Sequence, residues 1–396
     1  MHASYKNSYL QMATAVNARV INRCVDKAMG KPTIDAFDSM PPFNRLTSNQ
    51  PCLPIENCDI TRRPLAFGRL AMPKLLRELH NSNQCMVKQA ITTICDLVHD
   101  PERNYEAIKL HLPGRLVPLL EHPDAEVRER TLIALTTIGN LMDGKNAIVK
   151  NNEMMKNIKL CMEDEEIPVR LQAFSLLETL SLIWMVADVL VDNGYVELLV
   201  EILKRTYQVE DKDVLILIMQ TVEHLMYCNG KQLAFECGYF DVVLSVLKEN
   251  SDPNVIAAAL KSISILLQLK EVKEIALKVK LLKKYLYRFL LSEIPVVYEN
   301  AAAAMLFATV TLESLVQAIK LPELVDRLIS LTKAVHQPTA QKYCMQILTN
   351  LTGHGVIKKL LLVERIDELE AIPIDENDAH AKRVKEILLV DSLKYG

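Results

Sequence analysis

The feature that most constrains the fold is a helical stripe of apolar and small residues that returns about every 42 positions. It is clearest between Glu126 and Ile138, at offsets of 0, 4, 7, 8 and 11 from its first residue. Those offsets trace one face of an α-helix, so the pattern predicts a long helix with one buried side. The buried side of this copy consists of Val127, Thr131, Ala134, Leu135 and Ile138.

The same template recurs along the chain with steps of 41, 42, 45, 41, 42, 43 and 40 residues. Further copies begin at Val169, Val214, Val255, Val297 and Ala340, with a looser one at Met86 and a degenerate one at His380. This period is typical of armadillo and HEAT repeats, in which each unit buries its apolar face on its neighbours. The sequence therefore predicts an all-α protein, an armadillo/HEAT-like right-handed α-solenoid of about seven repeats.

Turn-forming residues predict that each repeat holds a short helix, a middle helix and then the long helix. Asp100 is expected to cap a short helix that has Pro101 in its first turn. Breaks at Pro113–Gly114, Gly194 and Gly238 are expected at helix ends that need a positive φ. Prolines stand just before several predicted long helices, at Pro123, Pro168, Pro253, Pro295 and Pro338.

The repeat pattern is absent from the start of the chain. We assign residues 1–58 to an N-terminal extension and residues 59–396 to the armadillo-repeat solenoid. Residues 8–29 form a possible helix with a basic line of side chains, and residues 30–60 hold five prolines that predict a mobile linker. The basic segment is interpreted as a partner-docking or loosely ordered arm. A mitochondrial transit peptide is the alternative, because acidic residues are scarce before Asp26.

Composition agrees with a helical repeat protein. The 396 residues exceed the roughly 250 to 300 at which single cores stop growing. Eleven glycines stand against 15 methionines and only 5% of residues are aromatic, as expected for long helices packed by aliphatic side chains. The four alanines Ala301–Ala304 predict a place where neighbouring helices approach closely. The net charge of -3 gives no electrostatic case for nucleic-acid binding.

Sequence motifs for catalysis, metals or membranes are missing. Gly144-Lys145 and Gly230-Lys231 lack the upstream glycine and the following Ser or Thr of a phosphate loop. The histidines have no zinc-site spacing, and no nucleophile motif occurs. The nine cysteines form no C-x-x-C pair, which is expected of a reduced intracellular protein, and no apolar run is long enough to span a bilayer. We therefore expect a protein that is not an enzyme and has no cofactor.

Armadillo proteins that bind extended peptides carry an asparagine near offset 10 of each long helix, where it hydrogen-bonds the peptide backbone. The equivalent positions here are Asp96, Thr137, Thr179, His224, Ile265, Phe307 and Asn350. We take the polar ones as candidate partner-binding residues in the groove. Only Asn350 keeps the asparagine, which argues against a nuclear import receptor and leaves a catenin-like protein surface open. For His224, a hydrogen-bonded structural role is expected.

One cluster of positive charge stands out. We call it the basic patch: Lys278, Lys280, Lys283, Lys284 and Arg288. The last four are its candidate contact residues, and Tyr285 and Tyr287 lie among them. A solvated helix face is the ordinary interpretation of such a cluster. The alternative is a docking site for an acidic partner such as a tubulin tail.

Three segments, Leu65–Leu79, Ala90–Leu120 and Asn300–Val310, resemble in sequence, order and separation the radial spoke head 14 family, armadillo proteins of the ciliary axoneme. The resemblance implies a non-catalytic structural component of the radial spoke in motile cilia and sperm flagella. Its place would be the axoneme within the cytoskeleton, its partners other spoke and axonemal proteins, with no nucleic acid, membrane or small-molecule substrate. The alternative is a soluble armadillo adaptor for transport, adhesion or chaperone work that binds a peptide or helix in its groove.

Overall fold

The computed structural model describes residues 27–30, 71–321, 323–375 and 377–393, and no strand occurs in those ranges. The chain divides into two compact units, Met1–Leu110 and His111–Gly396. Apart from residues 27–30, the predicted N-terminal extension and linker lie outside the described residues, and so does the predicted start of the solenoid at residue 59. The all-α fold class is confirmed for the rest.

The described part of the first unit is a small helical cluster. It contains α1 (Ala71–Glu78), α2 (Gln84–Val98) and α3 (Pro101–Lys109), and α1 packs against the other two. The carboxylate of Asp100 accepts a hydrogen bond of 3.0 Å from the amide two residues later, and Pro101 occupies the first turn of α3. This helix start is the one predicted, because the cap satisfies a free amide and proline has no N–H to lose there.

Helix α2 buries its apolar stripe one residue later than predicted. The template of offsets fits Val87, Ile91, Ile94, Cys95 and Val98, all at most 4% exposed. The predicted first residue, Met86, is only half-buried. The template positions are largely apolar whether the stripe starts at Met86 or at Val87, so periodicity alone does not distinguish the two registers. With the corrected register, Asp96 moves to offset 9, and its side chain is exposed.

The second unit repeats a triplet of short, middle and long helices. Every third helix from α5 onward is a long one. In addition, a 3-10 turn (Val117–Glu121) follows α4, and a π-helical turn (Leu282–Leu286) precedes α16. In chain order the helices are α4 (Leu112–Leu116), α5 (Ala125–Ile138), α6 (Met142–Val149), α7 (Asn152–Cys161), α8 (Ile167–Ser181), α9 (Trp184–Asp192), α10 (Tyr195–Thr206), α11 (Lys212–Tyr227), α12 (Gly230–Glu236), α13 (Tyr239–Glu249), α14 (Pro253–Leu266), α15 (Lys270–Val279), α16 (Tyr287–Leu290), α17 (Pro295–Ala308), α18 (Leu312–Ile319), α19 (Leu324–Thr332), α20 (Pro338–Leu351), α21 (Gly355–Val363), α22 (Ile366–Glu370) and α23 (Ala379–Leu393).

The long helices form the core of this unit. Each packs on the next, from α5 on α8 through to α20 on α23. In α5, α8, α11 and α14, all five template positions are at most 1% exposed, so the predicted stripe is the buried one. Six full triplets follow α5, and α3 to α5 supply one more along the chain, which confirms about seven repeats.

The last long helix departs from the prediction. In α23, His380 is exposed and Ile387 is 44% exposed, whereas Ala381, Val384 and Leu388 are buried. Val384 and Leu388 are buried as predicted, but Ala381 rather than His380 begins the buried side. No further repeat follows α23 in the described residues, so only one side of this helix has a long helix to pack against.

Left-handed residues make the turn between short and middle helices in five repeats. Gly194 and Gly238 have φ of 75° and 78°, as predicted for these two glycines. The predicted break at Pro113–Gly114 is wrong, because both residues lie inside α4 and the turn uses His111 instead. The non-glycine left-handed residues at these turns are His111, Lys280 and Glu323, with φ between 57° and 59°.

Prolines start the long helices as predicted. Pro168, Pro253, Pro295 and Pro338 stand in the first turns of α8, α14, α17 and α20, and Pro123 lies two residues before α5. A first-turn amide has no partner within its helix, so proline loses no hydrogen bond there. Proline therefore helps to set where α8, α14, α17 and α20 begin.

Arginines at offset 1 of two long helices connect consecutive repeats. Arg128 of α5 contacts Asp164, in the turn before α8, at 2.7 Å, and Arg170 of α8 contacts Glu210, in the turn before α11, at 2.6 Å. Each arginine also donates to carbonyl oxygens of the turn before its own helix. The acidic turn that contains Asp164 lies just before α8, where carboxylates complement the helix N-terminus. It also anchors the preceding repeat.

The four alanines of the alanine run are buried, as the predicted close approach of neighbouring helices requires. Ala301, Ala302 and Ala304 have no exposed surface and Ala303 is 7% exposed. They lie in α17, which forms with α14 the most extensively packed pair of helices described. Small side chains on α17 allow this contact, because protein interiors leave few voids and little spare room.

Candidate protein-binding face

The long helices of the second unit present one side that their stripe does not bury. We call the surface formed by these sides of α5, α8, α11, α14, α17 and α20 the long-helix face. It carries the residues at offsets 2, 3, 6, 9, 10 and 13 of the template, most of them exposed or half-buried. Because consecutive long helices pack side by side, the face is continuous across repeats.

Two candidate groove residues on this face bond to the preceding repeat. The Nδ1 atom of His224 lies 2.9 Å from the Ser181 hydroxyl, at the end of α8. The amide of Asn350 donates to the Leu306 carbonyl at 3.1 Å and reaches the Thr309 hydroxyl at 3.4 Å. Both side chains therefore connect successive long helices. The structural role expected for His224 is confirmed, and peptide binding by Asn350 stays a prediction.

Thr137 and Thr179 are mostly covered, each 8% exposed. The Thr137 hydroxyl donates to the carbonyl of Ile133 in its own helix, at 3.0 Å. The carbonyl of Thr179 accepts a hydrogen bond from Lys145, a lysine only 4% exposed. Burial lowers the pKa of Lys145, and the charge of Glu178 opposes that shift. Neither threonine offers a free polar group comparable to an asparagine side chain.

The two glycine-lysine pairs have structural roles, as expected from their lack of a phosphate-loop motif. Gly144 lies in α6 and Gly230 opens α12, where each short helix crosses the end of the preceding long helix. A Cβ on Gly144 would lie 2.0 Å from the carbonyl oxygen of Ile138, so no other residue fits there without a backbone shift. Lys231 reaches Gln268, just after the long helix of the same repeat, at 2.6 Å, as Lys145 reaches Thr179 in α8.

A buried carboxylate lies near the middle of the long-helix face. Glu223 of α11 is 3% exposed, and its Oε1 lies 2.8 Å from Nζ of Lys261 on α14. Burial raises the pKa of Glu223, against the effect of Lys261. Burial alone lowers the pKa of Lys261, but the hydrogen bond and charge of Glu223 outweigh it and raise the value. The ion pair therefore holds a half-exposed ammonium group on the face.

Two tyrosines complete this cluster. Tyr227 at the end of α11 is 63% exposed, and Tyr343 of α20 lies within electrostatic range of Tyr227 and of Lys261. Two long helices lie between α11 and α20 along this face, so the cluster joins residues of helices that are not neighbours. We call Glu223, Tyr227, Lys261 and Tyr343 the central cluster.

The sequence analysis did not identify the central cluster. Its residues occupy offsets 9, 13, 6 and 3 of three different long helices. The available signal was a charged or aromatic side chain at an unburied offset, but such positions are numerous. The same environment affects His224, whose pKa is lowered by burial and by the charge of Lys261. Its imidazole is therefore neutral at pH 7.

The basic patch lies on the short and middle helices of one repeat. All five cations are exposed, whereas Leu281, Leu282 and Leu286 of the same segment are buried. Lys280 has a φ of 57°, and the next turn of helix is π-helical. The guanidinium of Arg288 lies 5.8 Å from the ring of Phe289. The predicted patch residues are thus all exposed along one short segment of the chain.

Reactive and metal-binding groups are scarce in the described part of the chain. No group of three or more His, Cys, Asp or Glu side chains there is arranged to hold a metal ion. Burial raises the pKa of Cys161 to about 11 and that of Cys344 to about 12, so neither thiol is a nucleophile at neutral pH. Within the same ranges no single helix is long and apolar enough to cross a membrane. The pair α8 and α9 reaches that length together but bends by 119°.

The fold resembles solved repeat proteins of engineered origin, and no family model matches the chain. An engineered protein superposes with a TM-score of 0.69 at 18% identity, covering 81% of this chain and 78% of that one. A designed armadillo repeat protein matches 60% of this chain over 99% of its own length, with a TM-score of 0.52 and 17% identity. At such identities the likeness concerns the fold alone.

A second designed armadillo repeat protein matches equally well. It was solved in complex with the peptide (KR)4, and it has 17% identity, a TM-score of 0.52 and coverage of 60% of this chain and 99% of that one. The fold of this chain is therefore an armadillo-like α-solenoid, as the 42-residue period predicted.

Proposed function

We propose that this protein is a non-catalytic scaffold that binds other proteins through its long-helix face. The observation that carries the proposal is the continuity of that face, which runs from α5 to α20 and holds an exposed aromatic and a half-exposed ammonium at its centre. A surface several helices long buries a large area against one partner, as stable complexes require. The designed relative solved with a peptide supports the same use of the fold.

The central cluster is the proposed contact centre. Tyrosine is enriched at binding hot spots because its ring buries a large area and its hydroxyl forms a hydrogen bond. Tyr227 is exposed while the neighbouring Glu223 is already paired, so a partner covers the ring without leaving that carboxylate unsatisfied. Lys261 adds a fixed positive charge that orients an acidic or carbonyl group of the partner.

For the biological setting, we propose a structural part of the radial spoke in motile cilia and sperm flagella. The support is the resemblance of Leu65–Leu79, Ala90–Leu120 and Asn300–Val310 to the radial spoke head 14 family. The described residues of these segments are helical for the most part and include the tightly packed alanines of α17. Its partners are then other spoke and axonemal proteins. A soluble armadillo adaptor remains the alternative function.

The test is site-specific crosslinking in cells that build motile cilia. A photo-reactive amino acid replaces Tyr227 on the long-helix face, or Leu160, which is 57% exposed on middle helix α7 and serves as the control. We expect the Tyr227 probe to capture spoke proteins and the Leu160 probe to capture none of them. Equal capture from both positions would contradict the assignment of the face. Capture of cytosolic cargo alone from Tyr227 would support the adaptor.

A further inference from the structure

The basic patch is a concentration of unpaired positive charge. Its five cations fall within 11 residues, and no Asp or Glu occurs between Glu274 and Glu293. Other cations of the second unit form ion pairs, such as Arg128 with Asp164 and Lys261 with Glu223. Among the described residues, by contrast, no carboxylate lies within ion-pair distance of a patch cation. The patch therefore exposes like charges that repel one another, which the fold itself does not require.

The local backbone brings these charges close together. Lys283 and Lys284 lie in the π-helical turn Leu282–Leu286, and Arg288 lies in the helix that follows it directly. Lys284 donates its amide to the carbonyl of Lys280, which brings these two residues onto neighbouring turns. The buried leucines fix the inner side of the segment. A π-turn within a helix is rare and often marks a functional site.

We propose that the basic patch is a docking site for an acidic polypeptide segment of a partner protein. Lys280 and Arg288 are eight positions apart, so at the α-helical rise of about 1.5 Å per residue they span at most about 12 Å. An extended chain advances about 3.3 Å per residue, so about four consecutive residues match that span. A run of glutamates or aspartates provides carboxylates that pair with the ammonium and guanidinium groups. Charge complementarity thus sets both the sign and the approximate length of the ligand.

Other polyanions fit this surface less well. A membrane-binding helix inserts apolar side chains beside its cations, but Leu281, Leu282 and Leu286 are turned inward here. A nucleic acid is a long polyanion and favours strongly basic domains, whereas the whole chain carries a net charge of -3. A short acidic peptide contacts the patch without approaching the rest of the negatively charged surface. These facts favour a polypeptide ligand.

This site is separate from the long-helix face. The patch belongs to the short and middle helices α15 and α16, and the central cluster belongs to long helices. The inference therefore goes beyond the proposed function, and each is tested without the other. A protein with an intact patch and a substituted Tyr227 still binds the acidic peptide if the patch acts alone.

The experiment measures fluorescence anisotropy of a labelled hexaglutamate peptide titrated with the full chain. The test variant is the double substitution Lys283→Glu/Lys284→Glu. The matched control is Lys156→Glu/Lys248→Glu, which changes the same net charge at two exposed lysines of middle helices α7 and α13. We expect the test variant to weaken binding at least tenfold and the control less than threefold, with wild-type affinity falling as salt rises.

Several outcomes would overturn the proposal. The first is that the wild-type chain does not bind hexaglutamate. The second is that the test and control variants weaken binding equally, because that result would show an effect of net charge alone. Stronger binding to phosphatidylserine vesicles or to a single-stranded oligonucleotide would assign the patch to a different partner. Circular dichroism of both variants verifies that they remain helical. The variant Lys280→Gly removes one positive charge from the patch. Because glycine adopts the positive φ of this position readily, the backbone keeps its shape.

Discussion

Gly194 has a φ of 75°, and the nearest atom to a Cβ placed on it would be 3.8 Å away. Substitution by alanine therefore introduces backbone strain without a steric clash. We expect Gly194→Ala to lower the free energy of unfolding by about 1 kcal/mol, measured by urea denaturation.

Gly114 is the matched control for that measurement. It lies within α4, has no positive φ and has no neighbouring atom within 4 Å of a placed Cβ. Alanine is the better helix former, so Gly114→Ala should raise the free energy of unfolding by about 0.5–1 kcal/mol. Changes of the same sign at the two glycines would contradict the turn geometry described here.

At the scale of helices, the contact between α14 and α17 depends on small side chains. Ala304 has no exposed surface, and neighbouring side chains fill the space around it. We expect Ala304→Leu to destabilise the protein by about 1–3 kcal/mol through overpacking. The control is Ala308→Leu in the same helix, where a half-buried position accommodates the larger side chain. An unchanged melting temperature for Ala304→Leu would refute the close packing.

The Arg128–Asp164 pair links two repeats and makes stability depend on pH. Burial opposes ionisation of Asp164, but Arg128 and a backbone amide together lower its pKa below the ordinary value of 3.8. A carboxylate whose pKa is lowered by folding stabilises the fold at pH values above its unfolded-state pKa. That stabilisation is lost as pH falls through the folded-state pKa.

Asp164→Asn should therefore cost about 1–3 kcal/mol at pH 7, because it removes a partly buried charged hydrogen bond. The difference from wild type should shrink as pH falls below 4. Glu163→Gln is the control, since Glu163 and its partner Arg205 are about half exposed. Exposed pairs contribute roughly 0–1 kcal/mol. A deficit of Asp164→Asn that is constant from pH 7 to pH 3 would rule out this electrostatic origin.

Helix periodicity predicted the interior of the fold well and its ends poorly. Val127 begins a stripe that is buried as predicted, because Glu126 and Arg128 flank it and define one register. Met86 and Val87 are both apolar, so the stripe in α2 had two possible registers and the burial selects the second. At His380 the stripe is degenerate, and one neighbouring long helix determines which side is covered.

The two candidate surfaces also differ in how well the sequence predicts them. The basic patch was found from the sequence because its cations are neighbours along the chain. Tyr227, Lys261 and Tyr343 are separated by 34 and 82 residues and come within electrostatic range only when the long helices stack side by side. No local pattern carries that information. The asparagine-like positions at offset 10 stay predictions of partner binding, and side chains such as His224 are already bonded within the fold.

At the scale of the whole molecule, the proposed scaffold has two separate surfaces. The long-helix face offers a mixed aromatic and charged area for a folded or extended partner. The basic patch adds a charge-selective contact on a short and a middle helix. Large contact areas with fixed partners favour slow dissociation, so a scaffold of this kind should remain in its assembly through purification.

The most direct test of the radial spoke assignment is fractionation of tagged protein from cells with motile cilia or flagella, combined with deletion of its gene. The account predicts that the protein stays with the axoneme after detergent removes the membrane and is released only when spokes are dismantled. It also predicts impaired beating with intact microtubule doublets after deletion. Recovery in the detergent-soluble or nuclear fraction, together with normal motility after deletion, would contradict it.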